Sequence, residues 1–171
     1  MKNFKKIISG TSILIFVIAF ISGCNMNRSK KGQETFKIGV VVPLTGNSGI
    51  LGDFTLKGVQ YAVDMQNEKG GLLNRKIELD IRDSKADPVE GVAVVREMLK
   101  QKEKPFLVYS IVSGVSQAIK TETEAGGIVL MSAVGTDRFL EESKYTIRNY
   151  ISAESNGKVI SQFLKDSLNV A

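Results

Sequence analysis

The chain has 171 residues, 43% of them hydrophobic and 24% charged, with Lys+Arg 23 against Asp+Glu 18. This ordinary globular composition leaves room for one core and excludes a disordered, collagenous or disulfide-scaffold chain. With no His, no Trp and one Cys, it also excludes Cys/His zinc sites, Ser-His-Asp and Cys-His catalysis, and an intramolecular disulfide.

The formal charge of +5 is unevenly placed. Lys2, Lys5, Lys6, Arg28, Lys30 and Lys31 lie in residues 1–33 without a single acid, so the rest of the chain is nearly neutral. No nucleic-acid partner is expected from such a body.

Met1–Lys6 is a positively charged start, Ile7–Ser22 is apolar, and small residues follow. Together residues 1–23 read as a secretory signal peptide. The apolar stretch is short for a stable membrane span of about 20 residues. The sole cysteine stands at the cleavage point. Ile21-Ser22-Gly23-Cys24 resembles the lipobox of bacterial lipoproteins. That resemblance implies a thioether-linked diacylglycerol on Cys24, cleavage before it and acylation of the new N-terminus, hence attachment to a membrane through lipid. Residues 24–35 read as the lipidated Cys and a flexible, solvated tether.

Phe36–Leu44 (FKIGVVVPL) is a Val/Ile-rich run that predicts a buried strand ended by Pro43. Thr45–Gly52 is a Gly-rich loop, and Asp53–Glu68 predicts a helix with Phe54, Val59, Ala62, Val63 and Met65 roughly on one face, stopped by Gly70-Gly71. Lys76–Arg82 alternates as a second strand. Asp87-Pro88-Val89-Glu90 carries the N-cap, Pro and Glu signature of a helix start, with that helix running to about Lys102. Phe106–Tyr109 predicts a third strand, Ser113–Ala125 a helix, Ile128–Met131 a fourth strand and Thr136–Glu142 a turn or short helix. Tyr145–Arg148 predicts a fifth strand, and Glu154–Leu168 a last helix with Val159, Ile160, Phe163, Leu164 and Leu168 on its apolar face. This alternation predicts an α/β fold, a doubly wound parallel sheet with helices on both faces.

In such sheets ligands bind outside the carboxyl ends of the strands. The loops expected there, Thr45–Gly52, Asp83-Ser84, Ser110–Ser116 and Ser132–Thr136, are rich in hydroxyls and glycine. With the free N–H groups of helix starts they suit a carboxylate or other small polar group. Asp53, Asp83, Asp87 and Asp137 lie near this rim but form no acid/base pair; Asp53 and Asp87 read as helix caps and Asp83 as the closure of a turn. No catalytic residue, metal site or cofactor is expected. Gly46, Gly49 and Gly52 imitate a dinucleotide fingerprint, but the spacing is GxxGxxG and there is no Walker lysine-serine pair, so the glycines read as backbone room. Tyr109 and Tyr150 read as packing residues.

Ile38–Gly46 (IGVVVPLTG), Gly58–Gly71 (GVQYAVDMQNEKGG), Asp83–Pro88 (DSKADP), and Ser113 with Ser116-Gln117 carry a family likeness. Residues 36–171 resemble the N-terminal lobe of type I periplasmic binding proteins, and most of all the solute-binding lipoproteins of ABC importers for branched-chain amino acids, amides and related solutes. The resemblance implies two α/β lobes that clamp an amino acid or amide-like solute and present it to permease and ATPase subunits. It implies that Ser113 helps hold the solute carboxylate, that Thr136 contributes a hydroxyl and that the residue at Val134 contributes its backbone. Leu51 stands where that branch often has an aromatic side chain, and Val112 where some members have a bridging cysteine. Taken alone, Ser113 and Thr136 read equally well as caps of the helices that follow them. The resemblance further implies that the second lobe, with its acidic partner for a solute ammonium, is missing from this chain. A ligand-sensing module of the same fold that reports to a membrane receptor is the alternative function, and an exported α/β enzyme a more distant one. The expected location is outside the cytoplasm, lipid-anchored on the outer face of the cytoplasmic membrane or in the periplasm.

Overall fold

The computed structural model describes residues 35–168. The expected signal peptide, Cys24 and all of the tether but Thr35 lie outside the described residues. Among the described residues no helix is long and apolar enough to cross a membrane.

Five strands form one parallel sheet in the order β2-β1-β3-β4-β5. They are β1 (Phe36–Val42), β2 (Ile77–Asp83), β3 (Leu107–Ser110), β4 (Val129–Ser132) and β5 (Thr146–Arg148). The helices are α1 (Gly49–Glu68), α2 (Pro88–Lys100), α3 (Ser113–Gly126) and α4 (Ala153–Leu168), with a 3₁₀ turn at Asp137–Leu140. The expected α/β sheet with helices on both faces is therefore present.

Alternation along each strand divides the side chains between two faces. Val41, Val108 and Leu130 point to the face covered by α2 and α3, where they meet Val95, Met98, Val115, Ile119 and Phe139 in a fully buried cluster. Asp87 caps α2 as its sequence predicts, accepting the N–H groups of Val89 at 2.8 Å and Glu90 at 2.9 Å. The opposite face carries α1 alone, packed over β1 and β2. On that side Ile38, Leu107, Tyr109 and Met131 stay half-buried and, with Phe54 and Val59, line an apolar groove of about 610 Å³.

Helix α1 departs from its predicted start. It begins at Gly49 rather than Asp53, so Asp53 is no cap; it lies one turn inside the helix and pairs with Lys57 at 2.7 Å. Gly52 explains the difference. Its backbone passes so close to β1's exit that a Cβ there would fall 1.6 Å from the Pro43 carbonyl oxygen. The glycine read as loop is the residue that lets the helix start early. Phe54, Val59, Ala62 and Val63 share one face of the helix, along the groove. Val63 is buried, but Phe54 is 68% exposed and Met65 is exposed as well, because no second helix covers the sheet beside them. At the other end, Gly71 sits at φ +78° where a Cβ would meet the Arg75 carbonyl oxygen at 2.0 Å. Asn67 then joins α1 to β2 through both its amide atoms, donating to Ile77 O and accepting from Ile77 N–H.

Helix α4 has the predicted amphipathic pattern but none of its residues is buried. Val159, Ile160, Phe163, Leu164 and Leu168 are all exposed. Tyr150, read as a packing residue, is 60% exposed just before it, while Tyr109 is half-buried.

Candidate functional site

The parallel register brings the carboxyl ends of β1, β3 and β4 to one edge. Val41 lies opposite Ser110, and Ser110 opposite Ser132. The segments leaving these strands are therefore neighbours: Leu51 follows β1, Ser113 follows β3, and Val134 and Thr136 follow β4.

Ser113 is the first residue of α3 and is exposed. The helix cap is Val112, which has no side-chain oxygen to offer, so the first N–H groups of α3 have no side-chain cap. Among the described residues the Ser113 hydroxyl has no hydrogen-bond partner. Thr136 occupies the cap position of the 3₁₀ turn, yet its hydroxyl makes no cap bond either. Both capping readings are thus set aside: each hydroxyl is left unspent at a strand end. The Val134 side chain belongs to the buried cluster, so only its backbone is available to a solute. Leu51, expected in a loop, sits in the first turn of α1 and is 54% exposed. Ile50 beside it is exposed too. The rim accordingly offers hydroxyls and free N–H groups on the β3–β4 side and aliphatic surface at the start of α1.

Three further groups hold this rim, and the sequence reading did not single out their roles. The first is a buried serine cluster. Ser116 Oγ donates to Ser110 Oγ at 3.1 Å and lies 2.6 Å from Ser132 Oγ, while Ser132 Oγ donates to Ser110 O at 2.7 Å. The second is Asp83, which closes more than its own turn. Its carboxylate accepts the N–H groups of Leu44 and Lys85, each at 2.8 Å, and the Thr45 hydroxyl at 2.5 Å. Burial disfavours its charged form, but those donors outweigh burial and hold the carboxyl below the usual carboxylate range. The third is Arg148 at the end of β5, which pairs with Asp137 at 2.5 Å and holds that carboxyl below its usual range. A polar side chain that binds backbone across the sheet has no sequence spacing to announce it, which is why these roles were not legible.

The described residues contain no group of three or more Cys, Asp or Glu side chains placed to hold a metal ion. The apolar groove beside α1 lies on the sheet's face, and its lining offers no charged group to a solute carboxylate.

The family model for periplasmic binding proteins matches residues 35–169. The chain is 32% identical over 133 residues to Leu/Ile/Val-binding protein homolog 2 of Brucella abortus (strain 2308), a stretch covering 76% of this chain and 35% of that protein. It is 31% identical over 99 residues to the Leu/Ile/Val-binding protein BraC3 of Rhizobium johnstonii, covering 58% of this chain and 27% of that protein. Among solved structures, the branched-chain amino acid transporter substrate-binding protein LivJ of Streptococcus pneumoniae, in complex with isoleucine, is similar at a TM-score of 0.71 and 27% identity, covering 80% of this chain and 39% of that one. The chain thus spans roughly a third of the length of these relatives.

Proposed function

This chain belongs to the periplasmic binding protein family, and from that premise we propose that it is the N-terminal lobe of a solute-binding component of an ABC importer. Its solute is an amino acid of the branched-chain type, or a similar small polar molecule. The observation that carries this reading is the pair of hydroxyls on Ser113 and Thr136, both free of capping bonds, at adjacent strand ends and beside the uncapped start of α3. Hydroxyls and helix N–H groups suit a carboxylate. The exposed Ile50 and Leu51 suit an aliphatic side chain. The names of the relatives point to the same solute class.

The role is binding rather than catalysis. Among the described residues no carboxylate is hydrogen-bonded to either hydroxyl, and Asp83 and Asp137 are committed, the first to the β1–α1 loop and the second to Arg148. A second lobe closes over the solute, and the closed form is what permease and ATPase subunits recognise. That remainder of a longer protein also covers the apolar face of α4. Cys24 carries the lipid that keeps the protein outside the cytoplasm, on the outer face of the cytoplasmic membrane or in the periplasm.

The test is thermal unfolding of the protein, expressed from residue 25 to the end of its reading frame, against the amino acids and their amides. Leucine, isoleucine or valine is expected to raise the melting temperature in proportion to the logarithm of its concentration. Absence of a shift with every amino acid and amide overturns the solute assignment.

A further inference from the structure

Arg148 ends β5, and its guanidinium faces the loop that leaves β4. Its side chain is only 16% exposed. The Nη1 atom donates to the Thr136 carbonyl oxygen at 3.1 Å and to the Asp137 carboxylate at 2.5 Å. We propose that Arg148 is the positioning residue of this rim: it sets the backbone at Thr136, and so where the Thr136 hydroxyl and the Val134 backbone stand. The inference rests on the solute reading above for its functional meaning, but not for its geometry.

Three features separate this role from that of an ordinary strand-end cation. First, the charge of Arg148 is already matched by Asp137, so it is not a free cation waiting for a solute carboxylate. Second, the bonds fall on two consecutive residues of the loop, one a backbone carbonyl and one a side chain. Both bonds come from one nitrogen, Nη1, whose place is fixed by the planar guanidinium, whereas the ammonium of a shorter, flexible lysine has no such fixed position. Third, the backbone leaving β5 bonds the rest of the loop but omits Thr136. Asn149 N–H donates to Ser132 O at 3.2 Å, and Ala153 N–H donates to Gly135 O at 2.6 Å. From the β5 side, Thr136 is held through Arg148. The Val134 side chain is held in the core, and besides Arg148 the Thr136 carbonyl accepts only the Phe139 N–H of its own 3₁₀ turn, at 3.3 Å, among the described residues.

The experiment is amide hydrogen exchange on the protein expressed from residue 25 to the end of its reading frame, comparing Arg148→Gln and Arg148→Lys with the unsubstituted chain. Hydrogen bonds to charged groups are strong enough that their loss is expected to speed exchange across residues 132–140 by roughly tenfold. Exchange in β1 and β3 stays as it was. Arg148→Lys restores part of the protection, because it keeps the charge beside Asp137 without the fixed planar donor that reaches Thr136 O. Asp137→Asn, which leaves the Thr136 bond in place, gives a smaller rise and keeps the test decisive should Arg148→Gln fold poorly. Unchanged exchange in residues 132–140 overturns the proposal, and so does a uniform rise over the whole chain. Leucine titration of the same proteins, at a temperature where each is folded, reads the consequence: affinity falls in Arg148→Gln. An unsubstituted protein that binds no amino acid counts against the solute reading alone, since the exchange pattern decides the role of Arg148 without any solute.

Discussion

Ser116 Oγ lies 2.6 Å from Ser132 Oγ, a bond between the first turn of α3 and the last residue of β4. Ser110 completes the cluster from the end of β3, and all three residues are fully buried. Three residues upstream of Ser116, Ser113 faces solvent. One helical turn therefore holds two serines of opposite character, the buried one fixing the rim and the exposed one available to a solute.

This contrast predicts opposite effects of one substitution. Ser116→Ala removes two buried hydrogen bonds and leaves Ser110 Oγ without that donor. The expected cost is about 1–3 kcal/mol, read as a lower denaturation midpoint. Ser113→Ala touches no internal bond, so stability is expected to stay within about 0.5 kcal/mol, while the solute-induced rise in melting temperature shrinks. Equal loss of stability in both variants contradicts this division of labour.

Asp83, Glu124 and Asp137 predict the acid behaviour of the fold. In Asp83 burial opposes ionisation, but the Thr45 hydroxyl and the Leu44 and Lys85 amides lower its pKa. Glu124 follows the same pattern, with burial outweighed by the Thr146 hydroxyl and the Tyr145 and Lys144 amides. Asp137 is lowered by Arg148. Each carboxyl is a stronger acid folded than unfolded, so the unfolded chain binds more protons as the pH drops. Their contribution is complete above the ordinary carboxylate range near pH 4 and disappears as pH falls through the lower folded values. Asp83→Asn is expected to cost about 1–2 kcal/mol at neutral pH and to flatten the loss between pH 5 and roughly pH 3. Urea unfolding across that range is the measurement, and a variant with an undiminished acid slope removes Asp83 from the account.

The fold was legible where local chemistry and tertiary role agree. The Asp87-Pro88 start of α2, the alternation of Ile77, Leu79 and Ile81 and the Val-rich run of β1 each carry their element in a short window. The helix start at Gly49 was not legible, because the close approach of Gly52 to Pro43 joins an element end to a loop and leaves only a glycine in the sequence. What the apolar face of α4 meets was not legible for a related reason. Amphipathic spacing says that a helix has an apolar side, not what that side meets. The site divides in the same way. Ser113 and Thr136 stand at positions that topology makes predictable, whereas the Arg148 bond to Thr136 spans twelve residues and two strands, and nothing in the spacing encodes it.

Helix α4 supplies the last prediction. Val159, Ile160, Phe163 and Leu164 form one apolar side with no residue buried. A contiguous apolar face of this kind favours association when nothing covers it. Residues 25–171 by themselves are therefore expected to show concentration-dependent association in sedimentation velocity. Phe163→Glu should weaken that association markedly. Because Phe163 is already exposed, the same change should alter folding stability by no more than about 0.5 kcal/mol. In the protein carried through to the end of its reading frame, a second lobe packed on α4 reverses the expectation: the chain is monomeric and Phe163→Glu becomes destabilising, by about 3–5 kcal/mol where the ring is fully buried. A Phe163→Glu protein of that length with unchanged stability shows that no second lobe rests on this face.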